Sequence, residues 1–274
     1  MKGREFLYIL YKRVRPGFGV PFAFIIMYGM FTNAFSPLLL LAAAGFLLLE
    51  IYGGLYNDYW DYEDDIRNGR KDKFTTTGIL SRRQARDVSL AIAAFSLVLL
   101  SFTNIIVFAL GAYYAILFIF YSHPAVRLKG SVKGYATLSS MFLLLPFGLD
   151  MLMGVGPSMS TLLFGSFFFF QCTYILCQKD STDMKDTINL FIRHGWARST
   201  RITALFGALS SFSLLSLSLF NIYFAFVWLF NLLAKLSNIN SIRARTISRT
   251  KRYRLVLAEF LTPYMYAWGG LIVL

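Results

Sequence analysis

Apolar residues in this chain come in long, nearly unbroken stretches separated by short polar segments, not at the 3.6- or two-residue spacing of half-buried soluble elements. Nine stretches stand out: 17–35, 37–56, 88–103, 105–122, 134–153, 158–178, 201–219, 221–236 and 254–274. Crossing ~30 Å of hydrocarbon takes about 20 helical residues. The pattern therefore predicts an all-α membrane protein of nine transmembrane helices. Residues 88–122 would make an over-long single helix, so a tight hairpin is expected at Thr103–Asn104, with a similar break at Leu219–Asn221. Ahead of the first span, Phe6, Leu7, Leu10 and Val14 recur at helical spacing among basic residues, as in a short interfacial helix. The first apolar run is too long for a signal-peptide core, and no small-residue cleavage site follows it, so it reads as mature protein. No repeat, linker or low-complexity segment divides residues 1–274, which read as a single polytopic domain.

Composition sharpens this picture. Of 274 residues, 57% are hydrophobic and only 15% charged, too few for a soluble surface of this size. The formal charge of +13 could suggest nucleic-acid binding, but its placement argues for no nucleic-acid partner. All 27 Lys and Arg residues fall in the N-terminal arm and in segments 57–87, 123–133, 179–201 and 235–254. The alternate connections near 36, 104, 155 and 220 carry none. The positive-inside rule then places the N-terminus in the cytoplasm and the C-terminus outside. The expected location is integral and multi-pass, in the cytoplasmic membrane if the cell is prokaryotic. Cys172 and Cys177 fit no zinc spacing and no disulfide framework.

The acids are concentrated. Nine of 14 lie in residues 58–72 and 180–186, beside membrane spans. The second span ends in Asn57-Asp58-Tyr59-Trp60-Asp61-Tyr62-Glu63-Asp64-Asp65. On a helix Asp58, Asp61 and Asp65 share one face, and Asn57 neighbours Asp61. The sixth span ends in Asp180-Ser181-Thr182-Asp183-Met184-Lys185-Asp186, where Asp180 and Asp183 again share a face. The charge partition puts both clusters on the cytoplasmic side, at one membrane depth. Clustered carboxylates repel one another unless a cation lies among them. Mg²⁺ is commonly held by one or two carboxylates plus substrate phosphates, so two such clusters suit two ions and a diphosphate. An EF-hand reading of Asp61, Glu63 and Asp65 fails, because Ile66 stands where that loop needs glycine. Glu50, inside the second span, is a functional candidate because ionisable residues are costly there.

These residues resemble the UbiA superfamily of intramembrane prenyltransferases. Asn57-Asp58-x-x-Asp61-x-x-x-Asp65 is similar to its first signature. Lys73-Phe74-Thr75-Thr76-Thr77-Gly78-Ile79-Leu80-Ser81 resembles its Arg-Pro-Leu-x-Ser-Gly-x-x-Ser segment, with Lys for Arg and no Pro. Tyr121-Ser122-His123-Pro124-Ala125-Val126-Arg127-Leu128-Lys129 resembles its Tyr-Ser-x-Pro-Pro-x-Arg-Leu-Lys, and Arg15-Pro16 its Arg-Pro before the first span. Asp180-x-x-Asp183 matches the start of the second signature. The similarity runs in order along essentially the whole chain and includes the family's nine-helix count. One departure stands out: Thr187 occupies the position where the family usually has its last aspartate, and Asp186 comes one residue early. An early end to the helix would swing Asp186 towards the diphosphate, so Asp186 is expected as the third ligand.

The resemblance implies a UbiA-like bundle and a Mg²⁺ cofactor. Its partners would be an isoprenyl diphosphate donor, a lipophilic acceptor and the lipid bilayer. The allylic C–O bond would ionise and diphosphate would leave, stabilised electrostatically. Asp58, Asp61, Asp180 and Asp183 would be catalytic metal ligands, joined by Asp65 and Asp186. Asn57, Lys73, Arg127, Lys129 and Arg15 would bind the diphosphate. Glu50 and Tyr174 are possible acceptor-site residues. The cation must be shielded from water, and the chain's 28 Phe, 16 Tyr and 4 Trp could face it through cation–π contact. Acceptors within the family include quinone-head aromatics and other lipids. Two alternatives use the same residues. One is a membrane terpene cyclase on this scaffold. The other is a non-enzymatic lipid or ion transporter, which is disfavoured because the acids sit at the membrane face and not at its midplane.

Overall fold

The computed structural model describes residues 20–31, 36–67, 69–70, 73–182, 189–220, 222–248 and 254. Ten helices fall among them: α1 (Val20–Phe31), α2 (Pro37–Trp60), α3 (Tyr62–Arg67), α4 (Arg82–Ser101), α5 (Ile105–Ser122), α6 (Val132–Leu152), α7 (Met159–Asp180), α8 (Leu190–His194), α9 (Trp196–Leu217) and α10 (Tyr223–Arg243). Six are long and apolar enough to cross a membrane: α2, α4, α5, α6, α7 and α9. α10 has the length, at 21 residues, but not the apolarity. The predicted ninth span lies outside the described residues apart from Arg254, as does the N-terminal interfacial segment.

Side-chain caps set most helix starts. Ser36, Asn104, Ser131, Ser158 and Asn189 each accept a hydrogen bond from the first turn of α2, α5, α6, α7 and α8. Ser81 and Gln84 form a reciprocal capping box on α4. The expected hairpin is present: α4 ends at Ser101, and Asn104 Oδ1 accepts from the Val107 N–H at 2.7 Å. Helices outrun the apolar stretches at their basic ends, because caps and not hydropathy stop them. α4 begins at Arg82 although its apolar run starts at 88, and α10 continues to Arg243 although its run stops at 236.

Contacts group the chain into two units, residues 1–26 with 36–128, and 27–35 with 129–274. In the first, α2 packs on α4 and α5, which pack on each other. Leu100 fills the space left by two glycines, since a Cβ on Gly45 or Gly111 would lie 2.5 or 2.3 Å from its side chain. Ser96 Oγ donates to the Gly45 carbonyl at 2.7 Å. Small residues that let backbones approach are the usual basis of helix association in lipid.

In the second unit α7 packs on α6 and α9, and α9 packs on α10. Gly165 of α7 rests against the backbone of α6, where a Cβ would meet the Phe142 carbonyl at 3.1 Å and the Leu143 carbonyl at 3.2 Å. Backbone cannot swing aside as a side-chain tip can. Gly165→Val is therefore expected to cost ~1–3 kcal/mol by overpacking, read as a lower unfolding temperature in detergent. A shift no larger than that of a surface Gly→Val variant would mean that α6 and α7 are not in close contact there.

One residue changes place relative to the sequence reading. Lys235 was assigned to a basic connection, but it lies inside α10 and is 1% exposed. Its ammonium donates to Ser210 at 2.9 Å, to Ser211 at 3.4 Å and to Asn231 Oδ1, with the Phe167 and Tyr174 rings each 5.8 Å away. The Ser210 hydroxyl in turn donates to Gln171 Oε1 at 2.8 Å. Apolar neighbours on both sides in sequence do not reveal which face of a helix is polar until its partners are known. Elsewhere in this unit, the buried Asp150 of α6 accepts from the Tyr28 hydroxyl of α1.

Candidate active site

The first acidic cluster forms where α2 gives way to α3. Asp61 stands between the two helices, at φ −83° and ψ 5°. The helical ladder runs through this bend: the Asp61 N–H donates to the Asn57 carbonyl at 2.8 Å, and the Asp65 N–H to the Asp61 carbonyl at 2.7 Å. The shared face survives the break. Asp58, Asp61 and Asp65 are 0%, 5% and 5% exposed, while Glu63 between them is exposed. The Asn57 amide donates to Asp61 Oδ2 at 2.6 Å, the i, i+4 contact expected from the sequence.

Two cations reach this cluster from other segments. Lys73 Nζ lies 2.8 Å from Asp58 Oδ1 and is largely buried. Its turn is anchored by the buried side chains of Phe74 and Leu80, by a Leu80 N–H to Phe74 carbonyl bond of 3.2 Å, and by the Thr76 and Thr77 hydroxyls on the Lys73 carbonyl. Arg127 follows α5. Its Nη2 is 2.8 Å from Asp64 Oδ2 and 3.9 Å from Asp61 Oδ1. Its backbone has φ +38°, in the left-handed region, which costs an L-residue roughly 1–2 kcal/mol. The Arg127 N–H to His123 carbonyl bond at 2.8 Å and the Leu128 N–H to Phe120 carbonyl bond at 3.2 Å hold that conformation.

Glu50 lies two turns up α2, half-buried, and accepts from the Tyr114 hydroxyl at 3.3 Å. Phe46 and Phe118 flank Tyr114, at ring separations of 6.3 and 4.6 Å.

The second cluster belongs to the other unit. α7 ends at Asp180, followed by a turn at Ser181 and Thr182. The sequence reading put Asp180 and Asp183 on one helical face, but the helix stops before Asp183. Asp183, Asp186 and Thr187 lie outside the described residues, as does Arg15. Asp180 is buried, and its Oδ2 accepts from the Tyr135 hydroxyl at 2.6 Å and from the Leu190 N–H at 2.7 Å. The Asn189 amide donates to the Asp180 carbonyl at 2.7 Å. Lys129 is half-buried at the start of this unit. Tyr174 is buried against Gly207, whose Cβ would come 3.2 Å from its ring, and it faces the Lys235 centre. Cys172 and Cys177 are free and buried.

The structure thus brings Asn57, Asp58, Asp61, Asp65, Lys73 and Arg127 together. Sequence reasoning missed Asp64, Tyr135 and Asn189 as partners of the site's charged groups. Asp64 was visible only as one acid among several, and nothing in sequence links Tyr135 or Asn189 to Asp180. Among the described residues no group of three or more His, Cys, Asp or Glu side chains is arranged to hold a metal ion. The donor set nonetheless suits a hard cation, since it offers buried carboxylates and an amide oxygen and neither thiolate nor imidazole. One or two such carboxylates per ion suffice when substrate phosphates complete the coordination.

The sequence profile of the UbiA prenyltransferase family matches residues 19–261. The chain belongs to the UbiA prenyltransferase family. It is accordingly a prenyltransferase, with six membrane-length helices among its described residues. Solved UbiA structures share its fold. A UbiA homolog from Archaeoglobus fulgidus bound to DMAPP and Mg²⁺ is 19% identical with a TM-score of 0.73, over 98% of this chain and 100% of that one. The same organism's homolog bound to GPP and Mg²⁺ is 18% identical with a TM-score of 0.71, over 97% and 98%. An apo UbiA homolog from Aeropyrum pernix K1 is 16% identical with a TM-score of 0.70, over 93% and 96%. Comparison with curated proteins gives no significant match.

Proposed function

We propose that this UbiA protein is a Mg²⁺-dependent intramembrane prenyltransferase that moves an isoprenyl group from a prenyl diphosphate to a lipophilic acceptor and releases diphosphate. The observation that carries the reading is the buried first cluster: three carboxylates on one face with Lys73 and Arg127 already beside them. The UbiA homologs bound to DMAPP or GPP with Mg²⁺ support the donor class.

Asp58, Asp61 and Asp65 would hold Mg²⁺ in the first unit, and Asp180, Asp183 and Asp186 would do so in the second. Bound Mg²⁺ supplies neutralisation of the charge that develops on the departing diphosphate. Lys73, Arg127, Lys129 and Arg15 would contact phosphate oxygens of the donor, and Asn57 would orient Asp61 or bind phosphate. As the donor C–O bond breaks, its electron pair leaves with diphosphate, and the allylic carbon bonds the acceptor, which loses a proton. Glu50, which accepts from Tyr114, would orient the acceptor or take that proton, with the Tyr114 and Phe118 rings nearby. Tyr174 is a further acceptor-side residue. Residues 1–274 act as one catalytic domain of nine spans, in the cytoplasmic membrane if the cell is prokaryotic, with the N-terminus inside.

The decisive experiment supplies the purified protein in lipid with a radiolabelled prenyl diphosphate and membrane lipid extract. Transfer to an extractable lipid product should vanish in chelator and return with Mg²⁺. Undiminished transfer in chelator would remove this reading. A labelled hydrocarbon formed without acceptor would favour the terpene cyclase instead.

Topology is checked separately. Single cysteines at Ser81 and Thr246, both exposed, should react with an impermeant reagent only from the cytoplasm, and one at Gly156 only from outside. Labelling of Ser81 and Gly156 from the same side would break the nine-span arrangement.

A further inference from the structure

Asp64 lies outside the metal-binding set, between two of its members, and carries the shortest contact that Arg127 makes. The Arg127 guanidinium is shared through Nη2, 2.8 Å from Asp64 and 3.9 Å from Asp61. Arg127 itself is fixed from behind by its left-handed backbone and the two loop hydrogen bonds to His123 and Phe120. With the backbone held, the resting place of the flexible side chain is set by the carboxylates it meets, Asp64 and Asp61. Asp64 wins on distance. Among the described residues its other oxygen meets Arg67, at 3.4 Å, and that side chain is 69% exposed, where solvent weakens the attraction.

We propose that Asp64 is a positioning residue that holds Arg127 ready for the donor diphosphate and keeps it from closing on Asp61. This rests on the function proposed above. An Arg127 paired directly with Asp61 would compete with a divalent cation for the same oxygens. An Arg127 held 3.9 Å away leaves Asp61 open to metal while its positive charge stays beside the site. Asp64 thus divides two opposed charges that the chemistry needs close together but not joined. An aspartate here is also suited to let go: a diphosphate brings more negative charge than one carboxylate, so Arg127 can turn to it when the donor arrives.

The test uses calorimetric titration of the purified full-length protein with Mg²⁺, and with inorganic pyrophosphate in the presence of Mg²⁺. Asp64→Asn should weaken pyrophosphate binding about tenfold and raise the Mg²⁺ needed for half-saturation, the scale expected for one charge-assisted contact. Asp64→Glu should stay within about threefold of wild type, since it restores the charge. In an Arg127→Ala background the Asp64→Asn change should have less than about a twofold effect, because residues acting through one contact are not additive. Unchanged binding by Asp64→Asn, or an equal loss in both backgrounds, overturns the proposal and leaves the prenyltransferase reading intact. A wild-type protein that binds no pyrophosphate with Mg²⁺ overturns both.

Discussion

Asp58→Asn is expected to lower kcat/KM for the prenyl diphosphate by at least ~100-fold, the scale of losing one group that stabilises transition-state charge. The substitution is nearly isosteric, and asparagine still offers an oxygen to Lys73 at the same position. What it removes is one negative charge from a side chain with no solvent exposure. The loss should be in the chemical step as well as in binding, because the charge on diphosphate grows as the C–O bond breaks. Asp61→Asn should fall in the same range. The measurement is steady-state transfer across a Mg²⁺ titration. Wild-type turnover by Asp58→Asn at ordinary Mg²⁺ would exclude this cluster from catalysis.

Lys73→Met should be costly in another currency, lowering the free energy of unfolding by ~3–5 kcal/mol, as for breaking a buried ion pair from one side. Lys73 Nζ lies 2.8 Å from Asp58, and neither side chain is well solvated. The sign of a rescue follows. Millimolar Mg²⁺ should stabilise Lys73→Met more than wild type, since a divalent ion can take over the charge that the ammonium supplied. The double variant Asp58→Asn with Lys73→Met should recover most of the loss, because no charge is then left buried alone. Lys73→Arg, the residue that the related segment carries elsewhere in the family, should be nearly neutral. Unfolding curves in detergent, with and without Mg²⁺, decide the matter.

Much of this was legible in the sequence because it depends on local rules. Apolar length located the helices, and the Thr103–Asn104 break was readable because Asn104 is a natural cap. The face shared by Asp58, Asp61 and Asp65 follows from the helical repeat, and survives although the helix breaks at Asp61. Ordered motifs were enough to suggest the family. What local rules cannot give is which distant side chain meets which. Lys73 could be expected near phosphate, but not on Asp58 in particular. Tyr135 on Asp180 joins residues 45 positions apart, and no spacing rule reaches that far. The same holds for Lys235. By hydropathy it marks the end of an apolar run, and only the hydroxyls of α9 and the Asn231 amide oxygen explain how a lysine lies buried inside α10.

That lysine has a consequence for how the protein is made. A lysine at the centre of a membrane helix costs ~2.5–3.5 kcal/mol when the segment enters the bilayer from the translocon, and α10 carries Asn231 and Asn238 on the same stretch. α10 is therefore a poor candidate to insert alone. Besides Asn231 of its own helix, its ammonium finds oxygen partners on α9, the helix synthesised just before it, and its aromatic neighbours on α7. On the nine-span proposal, entry of α10 into the membrane is expected to follow that of α7 and α9 and to depend on them. If so, loss of the Ser210 and Ser211 hydroxyls would be felt first by the nascent chain at the ribosome, before any finished enzyme exists to be assayed.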